Sequence, residues 1–154
     1  MNKSNDADIG IKSMAFHGAI SDNGGLEAYA IHPKAITTVE FIEFVDMLSA
    51  RFLGQELAIF IDNLQVHKSK EVLETCNHLT ARLIFNIPYS PNSNGIDTYF
   101  SILKAEYKKL LLERLIMGVK VESTSLIMQS IQMIDQEKAK RCVGAGLKCI
   151  RTQA

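Results

Sequence analysis

No apolar run in this chain approaches the roughly 18 residues that span a bilayer. Its first ten residues, Met1 to Gly10, are polar and carry Asp6 and Asp8, unlike a secretory leader. The expectation is therefore an intracellular protein with no membrane partner. Cysteine is sparse and scattered: Cys76, Cys142 and Cys149 follow no C-x-x-C spacing. An odd set of this kind suits a reducing compartment and argues against a disulfide framework or a zinc site. Internal repeats and low-complexity stretches are missing too. So is net charge, with 17 Lys and Arg against 17 Asp and Glu, which is unusual for a free-standing DNA binder.

What is present is an ordinary globular composition. The 154 residues are 47% hydrophobic and 22% charged, enough for one domain with a sizeable core. The zero net charge hides an asymmetry. Residues 1–63 hold four Lys and Arg against nine Asp and Glu, and residues 64–154 hold thirteen against eight. The basic half can face phosphates, since paired cations drive nucleic-acid affinity. Solvated surface charge explains the same pattern.

Local signals give a sequence of elements. Residues 15–20 read as a short strand, and Ser21-Asp22-Asn23-Gly24-Gly25 as a turn. Residues 26–31 read as the returning strand of a hairpin. Thr37 and Glu40 have capping-box spacing, and Phe41, Phe44, Val45 and Leu48 fall at helical spacing up to about Ala50. Gly54 marks the exit. Residues 57–61 are continuously apolar and end on Asp62, the pattern of a strand buried on both faces. A helix over 68–77 and a strand over 82–87 follow, then a loop through Pro88, Pro91 and Gly95. Ile96, Phe100, Leu103, Tyr107 and Leu110 repeat at four and three, a strong amphipathic helix. One last helix is expected over 125–141, with Ile127, Ile131 and Ile134 inward and Gly144 and Gly146 ending it. A hairpin followed by alternating strands and helices implies a mixed α/β sheet flanked by helices. Active sites of such sheets gather at strand ends.

Two aspartates stand out at such ends. Asp62 closes its strand. Asp97 lies in the first turn of the long helix, three residues after Asn94, a residue suited to an N-cap. Thirty-four residues separate the two aspartates. One helix and one strand fill that interval and return the chain to the same end of the sheet. Adjacent carboxylates repel unless one is protonated or a cation lies between them. Mg²⁺ and Mn²⁺ prefer such oxygen ligands. A two-metal site of this kind activates a water or a 3′-hydroxyl against a phosphodiester. Taken singly, each residue has a plainer role: Asp62 as the cap of the following turn, Asp97 as the complement of a helix dipole. Asn63 can orient Asp62 or a bound water. His67 can approach the site or start a helix. Lys104, Lys108 and Lys109 can meet phosphate or simply be solvated. Tyr89 can stack on a base or equally pack on the sheet. His17, inside an apolar strand, reads as structural.

The residues from Ala58 to Lys104 resemble the mariner superfamily of transposases, including related bacterial insertion-sequence enzymes. The resemblance rests on Ile59-Phe60-Ile61-Asp62-Asn63 with His67 four residues on. It continues in Pro88-Tyr89-Ser90-Pro91, then Asn94-Gly95-Ile96-Asp97 with Phe100 three residues later. It implies a ribonuclease H-like fold with an Asp, Asp, Glu-or-Asp metal triad holding Mg²⁺ or Mn²⁺, in which Asp62 is the second member and Asp97 the third. It also implies DNA, the transposon ends, as partner, and is compatible with a homodimer. Gly95 stands where the family has proline, and Ser93 where an apolar residue is common. The family's first Asp lies on a strand preceding residues 15–20, which this sequence starts too late to contain. Asp6 and Asp8 fall in a polar stretch and Asp22 in a turn. A sheet lacking that strand exposes backbone edges. The expected organisation is a partial catalytic domain over 1–115 and a helical extension over 116–154. Three functions follow from this: a metal-dependent DNA transposase or endonuclease by descent, a non-catalytic remnant binding nucleic acid or protein, and a generic α/β scaffold.

Overall fold

The computed structural model describes residues 12–86 and 94–153, with side chains through Gly144. β1 (Ala15–Ser21) and β2 (Gly25–His32) form an antiparallel hairpin. Its turn places Gly25 at φ +76°, a conformation open to glycine, and Ser21 Oγ accepts from the Gly24 N–H at 2.9 Å. The register slips between Ala19 and Ile20, which makes Glu27 the extra residue of a bulge in β2. α1 (Thr38–Arg51) starts at the expected capping box, where the Thr37 N–H donates to Glu40 at 2.9 Å. It buries Phe41, Phe44, Val45 and Leu48, the residues whose spacing marked its inner face.

β3 (Leu57–Ile61) pairs in parallel with β4 (Ala81–Phe85), Leu57 opposite Ala81 and Ile61 opposite Phe85. Between them lie a short 3₁₀ turn at Gln65–Lys68 and α2 (Lys70–His78). Ser69 caps α2 by accepting from the Val72 N–H at 3.3 Å, so the helix starts two residues later than its composition suggests. β4 instead starts one residue earlier than expected and ends at Phe85, after which the Asn86 N–H donates to Ile61 O at 2.7 Å. α3 (Gly95–Ile116) is the long amphipathic helix. Its end is a Schellman motif: Gly118 at φ +64° donates to Leu115 O and Val119 to Arg114 O.

The C-terminal segment corrects the single-helix expectation. Two helices are present, α4 (Ser123–Gln132) and α5 (Gln136–Gln153). Glu122 caps the first by accepting from the Thr124 and Ser125 N–H groups at 3.0 and 2.6 Å. Asp135 accepts from the Glu137 N–H at 3.1 Å and starts the second. Gly144 and Gly146 do not end α5, which runs through both. A helical glycine costs only about 1 kcal/mol, less than burying Ala139 and Cys142 against α3 returns.

Among the described residues the strands do not make one sheet. They form two two-stranded ladders, β1–β2 and β3–β4. The interior divides in the same way. One cluster joins Phe41, Val45, Val72, Cys76 and Ala81 under α1 and α2. The other joins Tyr99, Leu103, Ile134, Ala139 and Cys142, with Phe16, Ile20 and Leu26 of the hairpin packed on it. Aromatic contacts bridge the two clusters. The His17 ring lies 5.0 Å from Phe44 and 5.9 Å from Phe41. Among the described residues no helix is long and apolar enough to cross a membrane.

Candidate active site

The parallel pairing of β3 and β4 explains the position of both aspartates. A parallel crossover returns the chain to the same end, so Asp62 just beyond β3 and the chain leaving β4 share one end of that ladder. Asp62 is exposed there and held by its surroundings. Its Oδ1 lies 2.8 Å from His67 Nδ1 and 3.4 Å from the Leu64 N–H. His67 is buried, its ring 4.3 Å from Phe41, so its orientation is fixed by the core of α1. The Asp62–His67 contact requires a proton on Nδ1, which assigns the donor. His67 thus positions Asp62.

Asn63 does not face the carboxylates. Its Nδ2 donates to Asn86 O across the end of the ladder, which fixes the loop that carries Asp62. Asn94 is buried and caps α3, its Oδ1 accepting from the Ile96 N–H at 3.4 Å. Asp97 sits in the first helical turn, where the dipole favours a negative charge. Even so, its carboxyl is raised above the ordinary range, first by partial burial and then by the negative charge of Asp62; Lys104 acts in the opposite direction. The two aspartates therefore sense each other's charge.

Gly95 has a role that its sequence position did not reveal. A Cβ there would lie 2.4 Å from Cys142 O and 2.8 Å from Cys142 C. Only glycine lets the first turn of α3 approach the α5 backbone so closely. That close approach fixes the helix start that carries Asp97. The sequence hint was the glycine in place of the family's proline, but its cause lies 47 residues away.

Asp62, His67, Asn94, Gly95 and Asp97 all border one cavity of about 510 Å³. A shallower one of about 310 Å³ lies beside β4 and contains a single carboxylate, Glu56. Lys104, Lys108 and Lys109 are exposed on α3. At about 100° per residue, Lys104 and Lys108 fall on the stripe of Asp97, whereas Lys109 is turned roughly 120° away. Asp22 is in the hairpin turn. Asp6, Asp8, Tyr89 and Ser93 lie outside the described residues. Among the described residues no group of three His, Cys, Asp or Glu side chains is placed to hold a metal ion. The two aspartates are nonetheless a fitting donor set for a hard cation. Both are oxygen ligands, both reach water, and a cation between them would relieve the repulsion that raises Asp97.

A family model described as DDE superfamily endonuclease matches residues 4–116. No curated protein matches the chain. The Mos1 transposase catalytic domain, solved with raltegravir and Mn, is 14% identical over 92% of this chain and 76% of that chain, with a TM-score of 0.68. A pre-cleavage Mos1 transpososome is 14% identical over 89% of this chain and 43% of that chain, with a TM-score of 0.64. A simian T-cell lymphotropic virus intasome, in complex with the PP2A regulatory subunit B56 gamma, is 19% identical over 79% of this chain and 46% of that chain, at 0.59. The chain thus spans less than half the length of the last two. At these identities the likeness is one of fold, the mixed α/β, ribonuclease H-like architecture of transposase catalytic domains. The match over residues 4–116, on that architecture, places this chain in the DDE superfamily of endonucleases.

Proposed function

We propose that this chain is the core of a DNA transposase catalytic domain, built for metal-dependent phosphodiester cleavage and strand transfer. The observation that carries this reading is the shared cavity of Asp62 and Asp97, together with the influence of one carboxylate on the other. Asp62 and Asp97 would hold Mg²⁺ or Mn²⁺, with Asn94 and Asn63 fixing the segments that bear them and His67 orienting Asp62. Bound there, a divalent cation would supply Lewis-acid activation of the phosphodiester and of the attacking oxygen. The residues themselves position charge; they do not form a covalent bond to DNA. Lys104 and Lys108 extend along α3 from Asp97 and supply positive charge for the phosphates that flank a bound strand, and Lys109 adds to the same basic surface from the side. The domain is proposed to comprise residues 1–115, with α4 and α5 as its helical extension. Mos1 catalytic domains were solved with Mn and with Mg, which supports the same ions here. The likeness to a transpososome and an intasome supports DNA, the transposon ends, as partner and an assembly of several chains, of which a homodimer is the simplest.

Mn²⁺ binding, followed by the electron paramagnetic resonance of free Mn²⁺, tests the site directly. Asp62→Asn and Asp97→Asn should each weaken binding at least tenfold with unchanged far-UV circular dichroism. Unaltered binding in both variants would refute the assignment. Plasmid nicking by this chain alone should be weak, because the described residues provide two carboxylates and not three.

A further inference from the structure

Two histidines of the hairpin carry nitrogens that the carboxylate pair does not use. His17 of β1 stands opposite Ala30, and His32 of β2 opposite Ala15. Residues opposite one another in a ladder share a face, so the two rings are diagonal neighbours on one side of the hairpin. That side meets α1, with the His17 ring 5.0 Å from Phe44 and 5.9 Å from Phe41. His17 Nδ1 and His32 Nε2 are both buried, and neither has a hydrogen-bond partner among the described residues. Burying a polar atom without a partner is costly, and here it happens twice on adjacent rings.

The rings are also placed as two ligands of one ion would be. Their centroids are 5.5 Å apart and their planes cross at 83°. Two imidazoles on a tetrahedral ion, with metal–nitrogen bonds of about 2.0–2.1 Å, have centroids about 5–5.5 Å apart. Burial keeps the His17 ring neutral, the form that has a lone pair to give. Glu40, at the start of α1, brings negative charge: His17 feels it, and Glu40 in turn feels His32. His17 borders the large cavity and neither histidine is fully buried, so an ion reaches the pair without unfolding.

We propose that His17 and His32 are the two protein ligands of a transition-metal site, for Zn²⁺ or an ion of like preference, on the α1 face of the hairpin. Imidazole suits such ions, whereas Mg²⁺ and Mn²⁺ take oxygen donors. The chemistry differs from that of Asp62 and Asp97, and the inference does not depend on the catalytic reading. Among the described residues no third His, Cys, Asp or Glu side chain joins the two rings, so water takes the remaining positions and the ion exchanges freely. Its role is structural. It clips β1 to β2 and fixes the His17 ring against Phe41, which itself lies 4.3 Å from His67.

The test titrates Zn²⁺ into the full chain carrying Asp62→Asn and Asp97→Asn, so that the carboxylates do not compete. Calorimetry should show Zn²⁺ binding at least tenfold tighter than Mg²⁺. His17→Phe and His32→Phe, added singly, should each weaken Zn²⁺ binding at least tenfold with unchanged far-UV circular dichroism. A second measurement needs no substitution: in nitrogen-15 spectra of the unsubstituted chain, Zn²⁺ should shift one ring nitrogen of His17 and one of His32 together. It decides the matter should either variant fail to fold. Unaltered affinity in both variants, or equal binding of Mg²⁺, would overturn the proposal. So would spectra in which Zn²⁺ moves His67 or His78 and leaves His17 or His32 in place.

Discussion

Acidification should destabilise this fold through His17, and the size of the effect can be worked from its surroundings. The ring is half-buried, packed against Phe44 at 5.0 Å and His32 at 5.5 Å, and its Nδ1 has no hydrogen-bond partner among the described residues. Burial, then the charge of His32, then that of His67 hold its pKa at about 4 instead of 6.5; Glu40 pulls weakly the other way. Between those values the unfolded chain binds the proton and the folded chain does not. Stability therefore falls as pH falls, with the contribution of His17 fully present above about 6.5 and gone below about 4. A shift of this size corresponds to about 3 kcal/mol, which screening of a half-buried ring reduces to about 2 kcal/mol. His17→Phe keeps an aromatic ring in place and removes the titration. Urea unfolding of both proteins between pH 7 and pH 4 isolates the term, because the carboxylates common to both cancel. The wild type should lose about 2 kcal/mol more than the variant over that range. Curves that stay parallel within about 0.5 kcal/mol, the scatter of such measurements, would refute the reasoning.

Three further outcomes are expected. Gly95→Ala drives a methyl group into the α5 backbone and should cost about 1–3 kcal/mol in urea unfolding while weakening Mn²⁺ binding at Asp97. Tyr99→Ala removes a side chain that is 1% exposed and should cost about 3–5 kcal/mol, whereas Ile116→Ser on the exposed end of α3 should change stability by less than about 0.5 kcal/mol. His67→Ala frees Asp62 from its buried partner and should lower Mn²⁺ affinity by roughly tenfold or more, read by the same resonance assay.

Much of the scaffold was legible because local rules decide it. The apolar run at 57–61, the Thr37–Glu40 box and the four-and-three repeat of α3 are each set by neighbours in sequence. The break between α4 and α5 was missed because the apolar spacing of Ile127, Ile131 and Ile134 continues across it. The cap at Asp135 was the signal that should have divided them. That Asp62 and Asp97 border one cavity was legible, since the parallel crossover returns the chain to the same end of the ladder. The support of the two aspartates was not legible. Phe41 beneath His67, Asn86 opposite Asn63 and Cys142 against Gly95 are contacts between distant segments, and no local period encodes them.

The division of the interior into two apolar clusters has a mechanical consequence. Asp62 is mounted on the body cored by Val45 and Val72, and Asp97 on the body cored by Tyr99 and Leu103. Among the described residues no ladder crosses between the bodies. They meet through the rings of His17, Phe41 and Phe44 and through the Arg51–Glu27 pair. The two carboxylates are thus carried by different clusters yet border one cavity, so a cation held by both would tie the two parts of the interior together.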